Sequence, residues 1–141
     1  MTVLFDTCVI VDALQDRQPF AKSAQLLFMA VANQQIRGCI TAKALTDIFY
    51  LTHRFTHDNQ ATCAVLTKLL SLFELLDTTA LDCRYALASG VADYEDAVMI
   101  ETAARTEMDC IVTRNLHDYR KSTVAVFSPD ELLERIMKDD I

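Results

Sequence analysis

The stretch Val3-Leu4-Phe5-Asp6-Thr7 places a carboxylate directly after a run of three apolar residues. Consecutive apolar side chains predict a strand that is buried on both faces, because a half-exposed strand would alternate apolar and polar residues. Asp6 stands where that strand ends, and ligands of open parallel sheets bind at the carboxyl ends of strands. The position also suits a helix cap, since Asp accepts hydrogen bonds from the free N–H groups of a first helical turn. The stretch alone leaves both roles open.

Length and composition predict one globular domain over residues 1–141. The hydrophobic content of 52% supports a packed core, and the presence of only two Gly and two Pro predicts short loops and many helices. The five cysteines are odd in number and widely spaced, which predicts neither a disulfide framework nor a zinc site. We expect a cytoplasmic protein, because no apolar run is long enough for a membrane span and no signal peptide is evident.

The net charge of −7 argues against a nucleic-acid binder with a broad basic face. It is compatible with an enzyme whose acids hold divalent cations, because a bound metal ion reverses the local charge. The sequence has no G-x-S-x-G, P-loop or G-x-G-x-x-G motif, which argues against serine hydrolases and nucleotide cofactors.

Apolar spacing predicts strands that alternate with helices along the whole chain. Gly38 is expected to end the second helical unit, and Ser128 with Glu131 is expected to cap the last helix. This alternation predicts an α/β fold with a mostly parallel central sheet that is covered on both faces. The predicted strands are 3–5, 39–41, 73–76, 110–113 and 124–127. The predicted helices are 7–13, 20–34, 41–56, 59–71, 80–89, 93–107 and one that begins near 128.

Four acids stand beside or within apolar segments: Asp6, Asp47, Asp96 and Asp118. Carboxylates drawn into one cleft repel each other unless a cation is present. Ligand sets made of oxygen alone suit hard ions such as Mg²⁺ or Mn²⁺, which activate water and bind phosphate oxygens. The pattern therefore predicts an acidic metal site.

Each of these acids also has a simpler interpretation. Asp47 could be an exposed helix residue, and Asp96 could pair with Asp93 at a helix start. Asp118 could cap a short turn, as Asn115 could. His53 and His57 are spaced like a metal-binding pair, but no third ligand lies nearby in the sequence.

Three stretches resemble motifs of PIN-domain nucleases. Leu4–Asp12 resembles their opening, in which a strand ends in Asp-Thr/Ser-Asn before an apolar helix. Asp93–Ala97, with an alanine-rich helix behind it, resembles their third motif. Ile111–Tyr119 resembles their fourth, commonly Thr-Arg-Asn/Asp ahead of an acid-aromatic pair. The likeness covers nearly the whole chain in the right order.

The resemblance implies a Rossmann-like α/β/α sandwich and Mg²⁺- or Mn²⁺-dependent hydrolysis of RNA phosphodiester bonds, which would release a 3′-hydroxyl. Small members are often toxins of toxin–antitoxin pairs, similar to the VapC type. Such toxins usually form homodimers and are inhibited by a small antitoxin protein. The expected partners are therefore an RNA substrate, an antitoxin and a second copy of the chain.

By position, Asp6 matches the first family acid, Asp96 the third and Asp118 the fourth, with Asn115 as the alternative to Asp118. The resemblance implies that Asp6, Asp96 and Asp118 hold the ion and that Asp47, in the second position, completes the catalytic pocket. Thr113, Arg114 and Asn115 are then the expected substrate contacts, although a salt bridge is an equally good interpretation of Arg114.

The chain departs from the family pattern at three places. Cys8 stands where Asn is usual, Asp47 stands where Glu is commoner, and Asn115 stands where some members have Asp. These changes motivate an alternative function, a catalytically weak or inactive PIN-like module that binds another protein. A third hypothesis is a metal-dependent phosphatase that hydrolyses small phosphomonoesters.

Overall fold

The computed structural model describes residues 1–139, so the last two residues of the predicted 1–141 domain lie outside it. Five parallel strands form one sheet in the order β3-β2-β1-β4-β5. This confirms the predicted α/β fold, and the sheet is parallel throughout. The strands are β1 (Thr2–Phe5), β2 (Arg37–Thr41), β3 (Glu74–Leu76), β4 (Cys110–Val112) and β5 (Ala125–Phe127).

Seven α-helices and one 3₁₀ turn connect and cover the strands. Among residues 1–139, no helix is both long and apolar enough to cross a membrane. The helices are α1 (Thr7–Leu14), α2 (Ala21–Ala32), α3 (Ala42–Thr56), α4 (Asn59–Leu72), α5 (Ala80–Ala88), α6 (Tyr94–Arg105) and α7 (Pro129–Asp139), and the 3₁₀ turn is Leu116–Tyr119.

The first strand is the centre of the sheet. Val3, Leu4 and Phe5 are fully buried, as the uninterrupted apolar run predicts. β1 pairs with β2 on one side and with β4 on the other. The chain therefore needs apolar side chains on both faces of β1, because helices cover both.

The connections of the sheet create a crevice beside the end of β1. The chain leaves β1 toward β2 and β3, and it later returns to place β4 on the opposite side. The direction of the chain across the sheet thus reverses at β1, which is the switch point of the sheet. Because crossovers between parallel strands are right-handed, the helices on the two sides of this switch point cover opposite faces of the sheet. The carboxyl ends of β1 and β4 therefore border the crevice in which ligands of such folds bind.

Helix starts follow the capping residues that the sequence provides. The Thr41 hydroxyl accepts the Ala44 N–H at 3.1 Å and begins α3. At α7, the Glu131 N–H donates to the Ser128 hydroxyl at 3.2 Å, while the Glu131 carboxylate accepts the Ser128 N–H at 3.1 Å. This reciprocal pair is the predicted capping box.

The expectation that Gly38 ends a helix is wrong. Gly38 lies inside β2, and α2 ends earlier, at Ala32. A Cβ atom at position 38 would lie 2.7 Å from the Phe73 ring and 2.9 Å from Val31 Cγ2. The glycine is therefore needed for close packing rather than for a turn. Phe73 is fixed from behind by the Phe5 ring, whose centroid lies 4.9 Å away.

Replacing Gly38 with Ala is expected to lower the free energy of unfolding by about 1–3 kcal/mol, the usual cost of overpacking a core. The added methyl group must displace the Phe73 ring, which already packs against Phe5, because the strand backbone cannot move without breaking its pairing. Denaturant unfolding measures the loss. Gly90→Ala is the control. At position 90 the added methyl group meets no neighbouring atom, but the φ of +76° strains alanine, so this variant measures backbone strain without crowding. An unchanged stability of Gly38→Ala would contradict this packing account.

Candidate functional site

A cavity of about 490 Å³ opens at the carboxyl ends of β1 and β4. Its walls come from α1, α3, α6 and the loop after β4, which are far apart in sequence. The structure therefore brings together all four acids that the sequence singled out. The predicted site residues on the cavity wall are Asp6, Asp47, Asp96, Asn115 and Asp118.

Asp6 is both a helix cap and a cavity residue. One carboxylate oxygen accepts the Thr7 N–H at 2.8 Å, which caps α1. The other accepts the Thr113 hydroxyl at 2.7 Å, across the β1–β4 junction. Asp6 is only 8% exposed, and burial raises its pKa although both hydrogen bonds favour the charged form. Asp6 therefore caps α1 and also places a buried carboxylate with a raised pKa at the cavity.

Thr113 holds the Asp6 carboxylate in place through a hydrogen bond. It is fully buried, and its hydroxyl accepts the Asn115 N–H at 3.0 Å while donating to Asp6. Asn115 itself is exposed on the cavity wall. Thr113 thus connects the loop after β4 to the first acid, which makes it a positioning residue for Asp6.

Cys8, which stands where the resemblance would place Asn, contacts Asp6. Its sulfur lies 3.5 Å from Asp6 Oδ2 and 3.8 Å from the Thr113 hydroxyl. Burial and the nearby Asp6 charge raise the pKa of this thiol to about 11. The thiol is therefore protonated at neutral pH and donates a weak hydrogen bond to Asp6, and it is a poor nucleophile.

Asp96 lies in the first turn of α6, where the Asp93 carboxylate accepts its N–H at 3.0 Å. Partial burial raises the pKa of Asp96 to about 6, and the negative charges of Asp6, Asp93 and Asp118 contribute to the rise. The negative charges of these three acids therefore repel the charged form of Asp96. A cation in the cavity would relieve this repulsion.

The raised pKa of Asp96 predicts a pH dependence in metal-free protein. In the unfolded chain this carboxyl titrates near its ordinary value of about 4. Between about pH 4 and pH 6 the folded state binds more protons than the unfolded state, so this group's contribution to stability falls as the pH rises. We expect Asp96→Asn to gain stability over the natural protein across this interval. Thermal unfolding in chelator measures the difference, and a pH-independent difference would contradict the assignment.

Tyr119 is a site residue that the sequence analysis did not identify. It is 2% exposed, and its hydroxyl lies beside the carboxylates of Asp6 and Asp96. Burial raises the pKa of the phenol, and the nearby charges of Asp6 and Asp96 raise it further. The sequence feature that could have identified Tyr119 is the acid-aromatic pair Asp118-Tyr119 of the fourth motif. That pattern indicates only an aromatic ring and gives no role to its hydroxyl.

The donors at this cavity fit a hard divalent cation. Every candidate ligand is a carboxylate oxygen, and the buried Tyr119 hydroxyl lies beside two of them, Asp6 and Asp96. Within residues 1–139, no three His, Cys, Asp or Glu side chains form a group that could chelate an ion directly. Mg²⁺ commonly uses one or two carboxylates and keeps several waters, so an ion at this cavity would be held partly through water.

Lys43 is a second residue that the sequence analysis missed. It lies in the first turn of α3 and on the cavity wall. Its ammonium nitrogen is 2.5 Å from Asp47 Oδ2 and 3.2 Å from Glu95 Oε1. The i, i+4 spacing of Lys43 and Asp47 is the only sequence signal for the pair, and it does not indicate a cavity.

Arg114 pairs with Asp12, a residue of α1 that is 1% exposed and was not among the predicted site residues. The guanidinium donates two hydrogen bonds to the Asp12 carboxylate, at 2.6 Å and 3.1 Å. It also lies over the Phe20 ring, 4.1 Å from the centroid. Arg114 therefore connects the loop after β4 to α1, which favours the salt-bridge interpretation over a substrate contact.

Comparison with known families finds a match to the PIN domain over residues 2–117. No match was found among curated proteins.

Several solved structures share the fold. VapBC2 from Rickettsia felis, bound to a DNA fragment from its promoter, is 15% identical with a TM-score of 0.67, and the match covers 91% of this chain and 98% of that one. A toxin–antitoxin complex from Klebsiella pneumoniae is 20% identical, with coverages of 90% and 97% and a TM-score of 0.67. VapBC-1 from nontypeable Haemophilus influenzae is 12% identical, with coverages of 92% and 99% and a TM-score of 0.70. At such identities the likeness shows the fold alone.

Proposed function

The chain belongs to the PIN domain family, and on that premise we propose that it is a metal-dependent endoribonuclease. The observation that carries the proposal is the convergence of Asp6, Asp47, Asp96 and Asp118 on one cavity at the switch point of the sheet. Asp6, Asp96 and Asp118 come from three separate segments, and a divalent cation would relieve the repulsion that Asp6 and Asp118 exert on Asp96. The raised pKa of Asp96 supports this interpretation.

Asp6, Asp96 and Asp118 would hold the Mg²⁺ or Mn²⁺ ion, and Asp47 would complete the acidic pocket. When bound, the ion would make water more acidic and offset charge on the phosphate oxygens. Asn115, which is exposed on the cavity wall, is the proposed substrate contact.

Thr113 and Arg114 serve the reaction indirectly in this proposal. Thr113 holds the Asp6 carboxylate, and Arg114 fixes the loop that carries Asn115 and Asp118. Hydrolysis of the phosphodiester would leave a 3′-hydroxyl on one fragment.

The substrate class is tested with single-stranded RNA and DNA of the same sequence, each incubated with Mn²⁺ or with Mn²⁺ and excess chelator. We expect cleavage of RNA with Mn²⁺ alone, and products that a 3′-hydroxyl-dependent polymerase extends. Intact RNA together with hydrolysis of a small phosphomonoester would favour the phosphatase hypothesis. Intact RNA and no Mn²⁺ binding would favour the inactive interaction module.

We further propose that the chain is the toxin of a toxin–antitoxin pair and forms a homodimer. The shared fold with the VapBC complexes supports the first part. An adjacent short reading frame for a DNA-binding protein, whose product binds the chain and blocks cleavage, is the expected finding. Light scattering of the purified chain measures the oligomeric state, and a monomer at micromolar concentration would contradict the second part.

A further inference from the structure

Lys43 forms two ion pairs on the wall of the cavity. Its ammonium contacts Asp47, one turn later on α3, and Glu95, in the first turn of α6. It therefore bridges α3 and α6. Asp6, Asp96 and Asp118 line the same cavity, and the charges of Asp6 and Asp118 act on Asp96.

The balance of charge around the cavity is strongly negative. Lys43 and Arg17 are the basic residues among the described side chains that line it. Arg17 donates its Nε–H to the Gln15 side chain at 3.2 Å, whereas Lys43 pairs with two of the acids. The acids on the wall are Asp6, Asp47, Asp93, Glu95, Asp96 and Asp118.

Fold stability does not explain the Lys43–Asp47 pair. Both side chains are 41% exposed, and ion pairs with that exposure contribute little to folding because water screens them. The pair instead places a fixed positive charge where the second acid of the site stands. A lysine ammonium offers three N–H donors to surrounding carboxylates, as a small hydrated cation would.

We propose that the Lys43 ammonium takes the place of a second divalent cation at Asp47 and Glu95, so that the site binds a single divalent ion beside Asp6, Asp96 and Asp118. This inference rests on the proposed metal-dependent function. In two-ion sites the two ions together stabilise the charge on the attacking and leaving oxygens of the displacement. Here the chain supplies that charge itself, and Asp47, one methylene shorter than Glu, reaches the lysine of its own helix.

The test counts Mn²⁺ ions on the full chain by titration calorimetry and by the loss of the free-Mn²⁺ resonance signal. The natural protein is expected to bind one ion, and Lys43→Gln is expected to bind two. Arg17→Gln, which removes the other lining cation, is the matched control and should still bind one. The double variant Lys43→Gln/Asp47→Asn should return to one ion, because the second acid is then neutral.

Two bound ions in the natural protein would overturn the proposal and leave the nuclease function standing. One ion in Lys43→Gln would also overturn it, since the lysine would then not be what excludes the second ion. No Mn²⁺ binding by the natural protein would instead contradict the metal-dependent function on which the proposal rests. Thermal unfolding confirms that each variant is folded before its ions are counted.

Discussion

Replacing Asp6 with Asn is expected to lower the rate of RNA cleavage by at least about 100-fold while the protein stays folded. Mutating a residue that hydrogen-bonds a metal ligand typically lowers metal affinity or activity by about 10–100-fold, and mutating the ligand itself should lower activity by no less. The amide oxygen of Asn can still cap α1 by accepting the Thr7 N–H. Burial raises the pKa of the Asp6 carboxyl group because it disfavours the charged form. Replacing that group with a neutral amide should therefore leave the free energy of unfolding unchanged or increase it. Single-turnover cleavage and thermal unfolding measure the two effects.

Asp58→Asn is the matched control for this variant. Asp58 also caps a helix, accepting the Gln60 N–H at 2.9 Å and the Ala61 N–H at 3.3 Å, but it is exposed at the start of α4. It shares the capping role of Asp6 and lacks its place in the cavity. Cleavage by Asp58→Asn should stay within about twofold of the natural rate. A loss of activity in both variants would indicate a general effect of capping on the fold.

Replacing Arg114 with Met is expected to lower the free energy of unfolding by about 3 kcal/mol, and the melting temperature by roughly 10 °C. The change leaves the Asp12 carboxylate, 1% exposed, without its two hydrogen bonds. An uncompensated buried charge is among the most destabilising single changes. Because Arg114 is partly exposed, we expect the lower end of the usual range. Cleavage should fall as well, since the loop after β4 loses its attachment to α1.

Arg135→Met tests whether the buried charge, rather than the ring contact, accounts for this loss. The Arg135 guanidinium lies 4.5 Å from the Phe127 centroid, much as Arg114 lies over Phe20. Losing a contact of this kind alone should cost about 1 kcal/mol or less. Adding Asp12→Asn to Arg114→Met should recover part of the stability. Equal losses in the two arginine variants would contradict the role given to Asp12.

The fold follows closely from the sequence because its signals are local. An uninterrupted apolar run such as Val3-Leu4-Phe5 is typical of a strand in a sheet covered on both faces, and these three residues are fully buried. Capping residues such as Ser128 act within a few positions of the helices they begin. The match to the PIN domain confirms the resemblance on which the Rossmann-like expectation rested. Gly38 was misassigned because the Phe73 ring that requires it comes from a distant segment.

The acids of the candidate site could be predicted because each follows or borders an apolar segment. Their partners could not. Asp12 and Arg114 are 102 positions apart, and nothing in either local pattern indicates a buried pair. Lys43 has the appearance of an ordinary helix-surface lysine until α6 brings Glu95 beside it. Tyr119 becomes a site residue only through its hydroxyl, whose surroundings depend on how the 3₁₀ turn packs against α6 and β5.

The most direct test of the central claim is the rate of RNA cleavage across a Mn²⁺ titration, measured side by side for the natural protein and Asp6→Asn. The account predicts a rate that rises with Mn²⁺, returns to background when chelator is added, and is nearly absent in Asp6→Asn at every concentration. Equal cleavage by the two proteins, or cleavage by the natural protein that chelator does not affect, would contradict it.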